Sequence, residues 1–227
     1  MTALHKALPD LVPKPLGFGI LSCYKNGVSP DGKFGFPVPT YQGRLSQDTT
    51  QCDTWEESFS RGIEQFFRLE EELQGYDEEM AELRKGIMEK VIPRLLRSLE
   101  TEGRKVVPRL VHGDLWDGNT SADAATGLPI IFDACSSYAH HEYELAPWRP
   151  TRHKIGKPQS KVDREDLCRR FNLCSSALYP GNIHFRNIVK EMRELVNKFP
   201  LGYEGYEQEQ VLKVPVSESR VPQLVST

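Results

Sequence analysis

The sequence predicts an α+β fold in which helix dominates and strand is confined to a small hairpin. Three observations predict it. Residues 53–100 hold two stretches with apolar side chains at helical spacing: Trp55, Phe59, Ile63, Phe66 and Phe67 in the first, and Met80, Leu83, Ile87, Val91, Leu95 and Leu99 in the second. Such spacing lays one apolar stripe along each helix. The pattern returns near the C-terminus with Phe185, Ile188, Val189, Met192, Leu195, Val196 and Phe199. Between these runs, the apolar Leu128-Pro129-Ile130-Ile131-Phe132 follows a turn of small residues at 121–127, the pattern of a β-hairpin arm.

In chain order, Ala3, Leu4, Ala7 and Leu8 have helical spacing, and Pro9, Pro13 and Pro15 stop that helix. Gly17-Phe18-Gly19 has the first two glycines of a phosphate-covering loop, but Ser22 stands where the third would be and no lysine-bearing strand follows. A strand-flanking turn is the better reading. Gly32, Gly35, Pro37 and Pro39 make an extended, turn-rich loop, with Phe34, Phe36 and Tyr41 anchoring it by burial. Asp53 is placed to cap the first long helix, with Glu56 at its third position, and Gly75 ends it. The second helix is expected over 77–100 with a bend at Pro93, whose ring removes one backbone hydrogen bond. A further helix is expected from Asp163 to Leu178, and the polar stretch after Gly202 reads as disordered.

The chemistry gathers at residues 110–119 and at Asp133. Asp114 and Asn119 are five apart, the spacing of the H-R-D-x-x-x-x-N loop in which Asp takes the proton of an acceptor hydroxyl and Asn holds magnesium. Gly113 replaces the Arg of that pattern. Asp133, delivered by the hairpin arm, is placed to act as the second magnesium ligand, although Ala134 and Cys135 follow it rather than Phe-Gly. Phosphoryl transfer needs an in-line hydroxyl, a carboxylate beside its proton and cations on the phosphates. Magnesium prefers hard oxygen donors, which Asn and Asp supply. His112 reads as a residue that fixes the loop by hydrogen bonding rather than as a base. His140 and His141 are adjacent and lack the i, i+4 spacing of a zinc pair.

Composition bounds the rest. With 227 residues, 38% hydrophobic and 27% charged, the chain fits a soluble globular enzyme. A net charge of −3 disfavours a general nucleic-acid binder. No apolar run approaches the ~20 residues of a membrane span. Five cysteines without C-x-x-C spacing point to a reduced, cytoplasmic protein. Arg149, Arg152, His153, Lys154 and Lys157 form a basic loop, either a plain surface or a contact for phosphate or an acidic protein.

His112-Gly113-Asp114-Leu115-Trp116-x-Gly118-Asn119, followed by Ile131-Phe132-Asp133, resembles the fructosamine/ketosamine-3-kinase family. Residues 29–41, 143–149 and 176–182 resemble its fungal protein-ribulosamine 3-kinase branch. The resemblance implies a protein-kinase-like, aminoglycoside-phosphotransferase-like C-terminal lobe with an incomplete N-lobe. Residues 1–28 would be the remnant of the N-lobe and hinge, 29–202 the lobe, and 203–227 a disordered tail. It implies ATP-dependent phosphorylation of the 3-hydroxyl of ribulosamines or fructosamines on glycated protein lysines or free ketosamines, with ATP and Mg2+ as cofactors. Asp114 would be the catalytic carboxylate, and Asn119 and Asp133 the magnesium and nucleotide ligands. Trp116 would pack on the sugar or, equally, in the core. Glu144 would be a structural hydrogen-bonder. Two alternatives stay open: an inactive remnant or incomplete gene model of that family, and an aminoglycoside/choline-type phosphotransferase. Loss of a charge-assisted clamp costs about 1.5–3 kcal/mol per contact, so ATP affinity in the millimolar range or weaker is expected of this chain.

Overall fold

The computed structural model describes residues 26–148, 170–182 and 188–213. The expected N-terminal helix, the Gly17-Phe18-Gly19 turn and the basic loop at 149–157 lie outside the described residues, as do Cys23 and Cys168.

Helix dominates, as the apolar spacing requires. Helix α1, Trp55–Gln74, buries Trp55, Phe59, Ile63, Phe66 and Phe67 on one face. Its cap is Thr54, one residue later than expected. The Thr54 hydroxyl accepts from the Glu57 amide at 3.2 Å, and Asp53 instead pairs with Lys33. The Glu100 carboxylate accepts a further amide, that of Trp55, at 2.9 Å. A remote carboxylate thus satisfies one of the orphan donors that every helix start leaves. Gly75 at φ 86° ends α1.

The expected single helix over 77–100 is segmented. Asp77 caps α2, Glu78–Gly86, a π-helical turn covers Ile87–Val91, and α3 spans Ile92–Leu96, followed by a 3-10 turn at Arg97–Leu99. Pro93 has no N–H to give to the carbonyl four residues back. The chain widens just before it, and the Ile92 amide reaches five residues back to Ile87. The apolar stripe survives this, with Met80, Leu83, Ile87, Val91 and Leu95 all buried.

Helix α4, Arg170–Leu178, packs against α1, and α5, Ile188–Lys198, packs against α2 and the π-helical turn. Residues 203–213, expected to be disordered, belong to helix α6, Gly202–Lys213. Arginine supplies what the polar composition hid: Arg97 lies 5.0 Å from the Tyr203 ring and Arg94 lies 5.2 Å from Tyr206. Arg104 donates to the Tyr206 hydroxyl at 2.7 Å. Two tyrosines three apart on one helical face meet a row of guanidinium groups.

The strands are short. β1, Tyr41–Gln42, pairs with β2, Leu45–Ser46, around Gly43-Arg44, a hairpin the sequence reading did not anticipate. Phe34 and Phe36 are buried as expected, but Tyr41 is 57% exposed because its side chain points out of that ladder. β3, Arg109–Val111, pairs antiparallel with β6, Ser137–Ala139, with Val111 opposite Ser137. Between them in sequence, β4, Thr120–Ala122, and β5, Pro129–Ile131, form the expected hairpin. No helix among the described residues is long and apolar enough to cross a membrane.

Candidate active site

The site forms where the chain leaves β3 and where it returns to β6. Leu110 and Val111 are buried in the ladder, and Leu115 is buried just beyond it, so the turn between them is pinned at both ends. Gly113 makes the turn at φ 83°. A Cβ at that position would lie 2.5 Å from the Cys135 carbonyl oxygen, so only glycine allows the two segments this close.

Glu144 lies beneath this turn, in the 3-10 segment His141–Trp148. Its carboxylate accepts the His112 amide at 2.5 Å and the Gly113 amide at 3.3 Å. Burial pushes its pKa up to about 7, against the two amide hydrogen bonds, which favour the charged form. The expected role of structural hydrogen-bonder matches these contacts.

His112 is 3% exposed and ties the loop to the hairpin. Its Nδ1 accepts from the Asp114 amide at 3.3 Å, and Nε2 lies 2.9 Å from the Phe132 carbonyl. With Nδ1 accepting, the proton sits on Nε2, which donates to that carbonyl. Burial lowers the His112 pKa, which favours this neutral ring. With both nitrogens engaged, His112 ties the loop to the hairpin, the loop-fixing place expected of it.

Asn119, in the 3-10 turn Asp117–Asn119, is 5% exposed and joins all the expected parts. Its Nδ2 donates to the Asp114 carbonyl at 2.8 Å and to Asp114 Oδ2 at 3.1 Å, and lies 3.5 Å from the Asp133 carbonyl. The Phe132 amide donates to the Asn119 carbonyl at 3.1 Å, locking the hairpin end to the loop. Asp133 follows at φ 57°, a left-handed conformation that Asp tolerates better than most residues, with its side chain exposed. Asp114, Asn119 and Asp133 are therefore brought together. Trp116 stands beside them, half-buried over Gly118, where a Cβ would lie 2.2 Å from its ring.

The donor set fits a hard divalent cation. With the Asn119 NH2 turned toward Asp114, its Oδ1 would be the oxygen donor to a cation, and Asp133, whose backbone carbonyl lies 3.5 Å from that NH2, would offer an exposed carboxylate. Sequence reasoning missed Gln47, whose Nε2 donates to the Cys135 carbonyl at 3.0 Å from 88 residues away. No local pattern signals a contact of that separation. Cys52, Cys135 and Cys174 are buried.

Comparison with known proteins places the chain in a family. Residues 16–150 match the family model described as fructosamine kinase. Mouse ketosamine-3-kinase is 43% identical over 115 residues, covering 50% of this chain and 34% of that protein. The chloroplastic protein-ribulosamine 3-kinase of Oryza sativa subsp. japonica is 32% identical over 131 residues, covering 57% of this chain and 36% of that protein. The chain thus spans about a third of the length of these relatives. A crystal structure of a candidate fructosamine-3-kinase from Thermobifida fusca YX-ER1 superposes with a TM-score of 0.59 at 19% identity, covering 78% of this chain and 62% of that one. That likeness shows a shared kinase-like fold of mixed helix and strand. Since the family model matches more than half of its residues, the chain belongs to the fructosamine kinase family.

Proposed function

We propose that the site phosphorylates the 3-hydroxyl of ketosamines, the sugar adducts of lysine, with ATP as donor, as part of protein deglycation. The observation that carries this reading is the Asn119 amide, which binds the Asp114 carboxylate at 3.1 Å and lies against the Asp133 backbone. One buried side chain thus fixes a base candidate beside an oxygen cluster. Asp114 orients the acceptor hydroxyl and takes its proton as that oxygen bonds to the γ-phosphorus of ATP and the bridging P–O bond breaks to release ADP. Asn119 Oδ1 and the Asp133 carboxylate would hold Mg2+, which would supply the positive charge that the phosphate oxygens need. Neutral His112 and the Glu144 carboxylate keep the Asp114 turn in place from below. Trp116 offers a half-exposed aromatic face at the rim, suited to the apolar face of a sugar.

The names of the mouse and rice relatives support a ketosamine acceptor over an aminoglycoside or choline. The test is an acceptor panel with radiolabelled ATP at millimolar MgATP: ribulosamine-lysine, fructosamine-lysine, an aminoglycoside and choline. Label on a ketosamine that disappears in Asp114→Asn supports the reading. Label on the aminoglycoside alone overturns it.

A further inference from the structure

The two arms ending in Asp114 and Asp133 leave the β3–β6 ladder together at the Val111–Ser137 pair. Only His112 and Gly113 separate Val111 from Asp114, and only residues 134–136 separate Asp133 from Ser137. Midway along, the arms touch: the Gly113 backbone packs on the Cys135 carbonyl with no room for a Cβ. The position of that carbonyl therefore sets how far apart the two arms run. Its oxygen accepts the 3.0 Å hydrogen bond from Gln47 Nε2. The same Nε2 donates to Thr40 Oγ1 at 3.1 Å, and the Gln47 amide donates to the Thr40 carbonyl at 2.9 Å. The neighbouring Ser46 carbonyl accepts from Gln65 Nε2 of α1 at 2.9 Å. A buried carboxamide, 7% exposed and tied back to the longest helix, thus grips the arm that carries Asp133.

We infer that Gln47 is a positioning residue for the cation site: it holds the Cys135 carbonyl against Gly113 and so sets the gap between Asp114 and Asp133. The inference rests on reading Asn119 and Asp133 as cation ligands. Gln47 acts on the cation site through the backbone of the Asp133 arm, which it holds at the Cys135 carbonyl. Outer groups that orient ligands are worth about 10–100-fold in metal affinity. A role in packing alone would lower stability and leave affinity unchanged.

Gln47 also lines a cavity of about 10 Å3 with Thr49, Ser58 and Ser137, room for one water. A shorter side chain would enlarge it, so the variants keep the length. Gln47→Glu replaces the donor by an acceptor facing a carbonyl oxygen. Gln47→Met removes the polar group and serves if the first variant does not fold. Mn2+ binding to the 227-residue chain is titrated by electron paramagnetic resonance, with Asp133→Asn as background, and melting in chelator is followed in parallel. Mn2+ affinity at least about tenfold weaker in a folded Gln47 variant is the expected result. A lowered melting temperature with unchanged Mn2+ affinity assigns Gln47 to packing and overturns the inference. Wild type indistinguishable from Asp133→Asn overturns the cation reading, and this inference with it.

Discussion

Replacing Asn119 by Asp tests the geometry of the site by its electrostatics. The change keeps the side chain's size but puts a carboxylate oxygen where Nδ2 now stands, 3.1 Å from Asp114 Oδ2. Two unit charges at that distance repel by about 5 kcal/mol at an effective dielectric constant near 20. Protonation limits the penalty: raising one carboxyl from about 3.9 to the working pH of about 7 costs about 4 kcal/mol, and beyond that the pair shares a proton. Asn119→Ala loses the same donors without adding charge, leaving the Asp114 carbonyl without its 2.8 Å partner, at about 1–3 kcal/mol. Urea unfolding at pH 7 in chelator should therefore rank wild type above Asn119→Ala above Asn119→Asp. Adding MgCl2 should restore Asn119→Asp by more than it restores Asn119→Ala, because the new carboxylate faces the cation. Equal stability of the two variants in chelator, with equal response to magnesium, would refute the placement of Asn119 against Asp114.

Two further outcomes follow from the same loop. Glu144 has its pKa raised from 4.5 to about 7, so the folded state binds more protons than the unfolded state between those values. Its contribution makes stability fall as pH rises from about 4.5 to about 7, by roughly 3 kcal/mol in total, and leaves it flat above. His112 acts in the opposite sense, because its lowered pKa costs stability as pH falls below its usual value of 6.5. The difference between wild type and Glu144→Gln isolates the first effect: denaturation across pH 5–8 should show a pH-dependent gap, and parallel curves would contradict it. Gly118→Ala should drive the Trp116 ring off its seat, since the new methyl would lie 2.2 Å from it. A shifted tryptophan emission and a loss of about 1–3 kcal/mol are expected, and unchanged emission would contradict that contact.

The part of the site legible in sequence was the part encoded locally. Asp114 and Asn119 meet because a five-residue turn brings them together, and Asp133 joins them because a hairpin of predictable length returns it to the same place. The apolar stripes of α1 and of residues 77–99 were legible because burial imposes the helical period. What escaped was set by distant partners or by competition between neighbours. Asp53 was expected to cap α1, but Thr54 does so and Asp53 pairs instead with Lys33, twenty residues upstream. Helix α6 looked disordered because its own composition buries little, yet Arg94, Arg97 and Arg104 supply its partners from about a hundred residues upstream. The π-helical turn before Pro93 is a local response to a missing donor, and it packs against α5, about a hundred residues away in sequence.

The central claim is that Asp114, held by Asn119 beside Asp133, serves phosphoryl transfer to a ketosamine. It is tested most directly by labelled transfer from millimolar MgATP to ribulosamine-lysine and fructosamine-lysine, comparing wild type with Asp114→Asn and locating the product phosphate by 31P NMR. The account predicts a 3-phosphate that requires a divalent cation and is lost by at least about a hundredfold in a variant that melts at the wild-type temperature. Transfer undiminished in Asp114→Asn, or no label on either ketosamine from the wild-type chain, would contradict it.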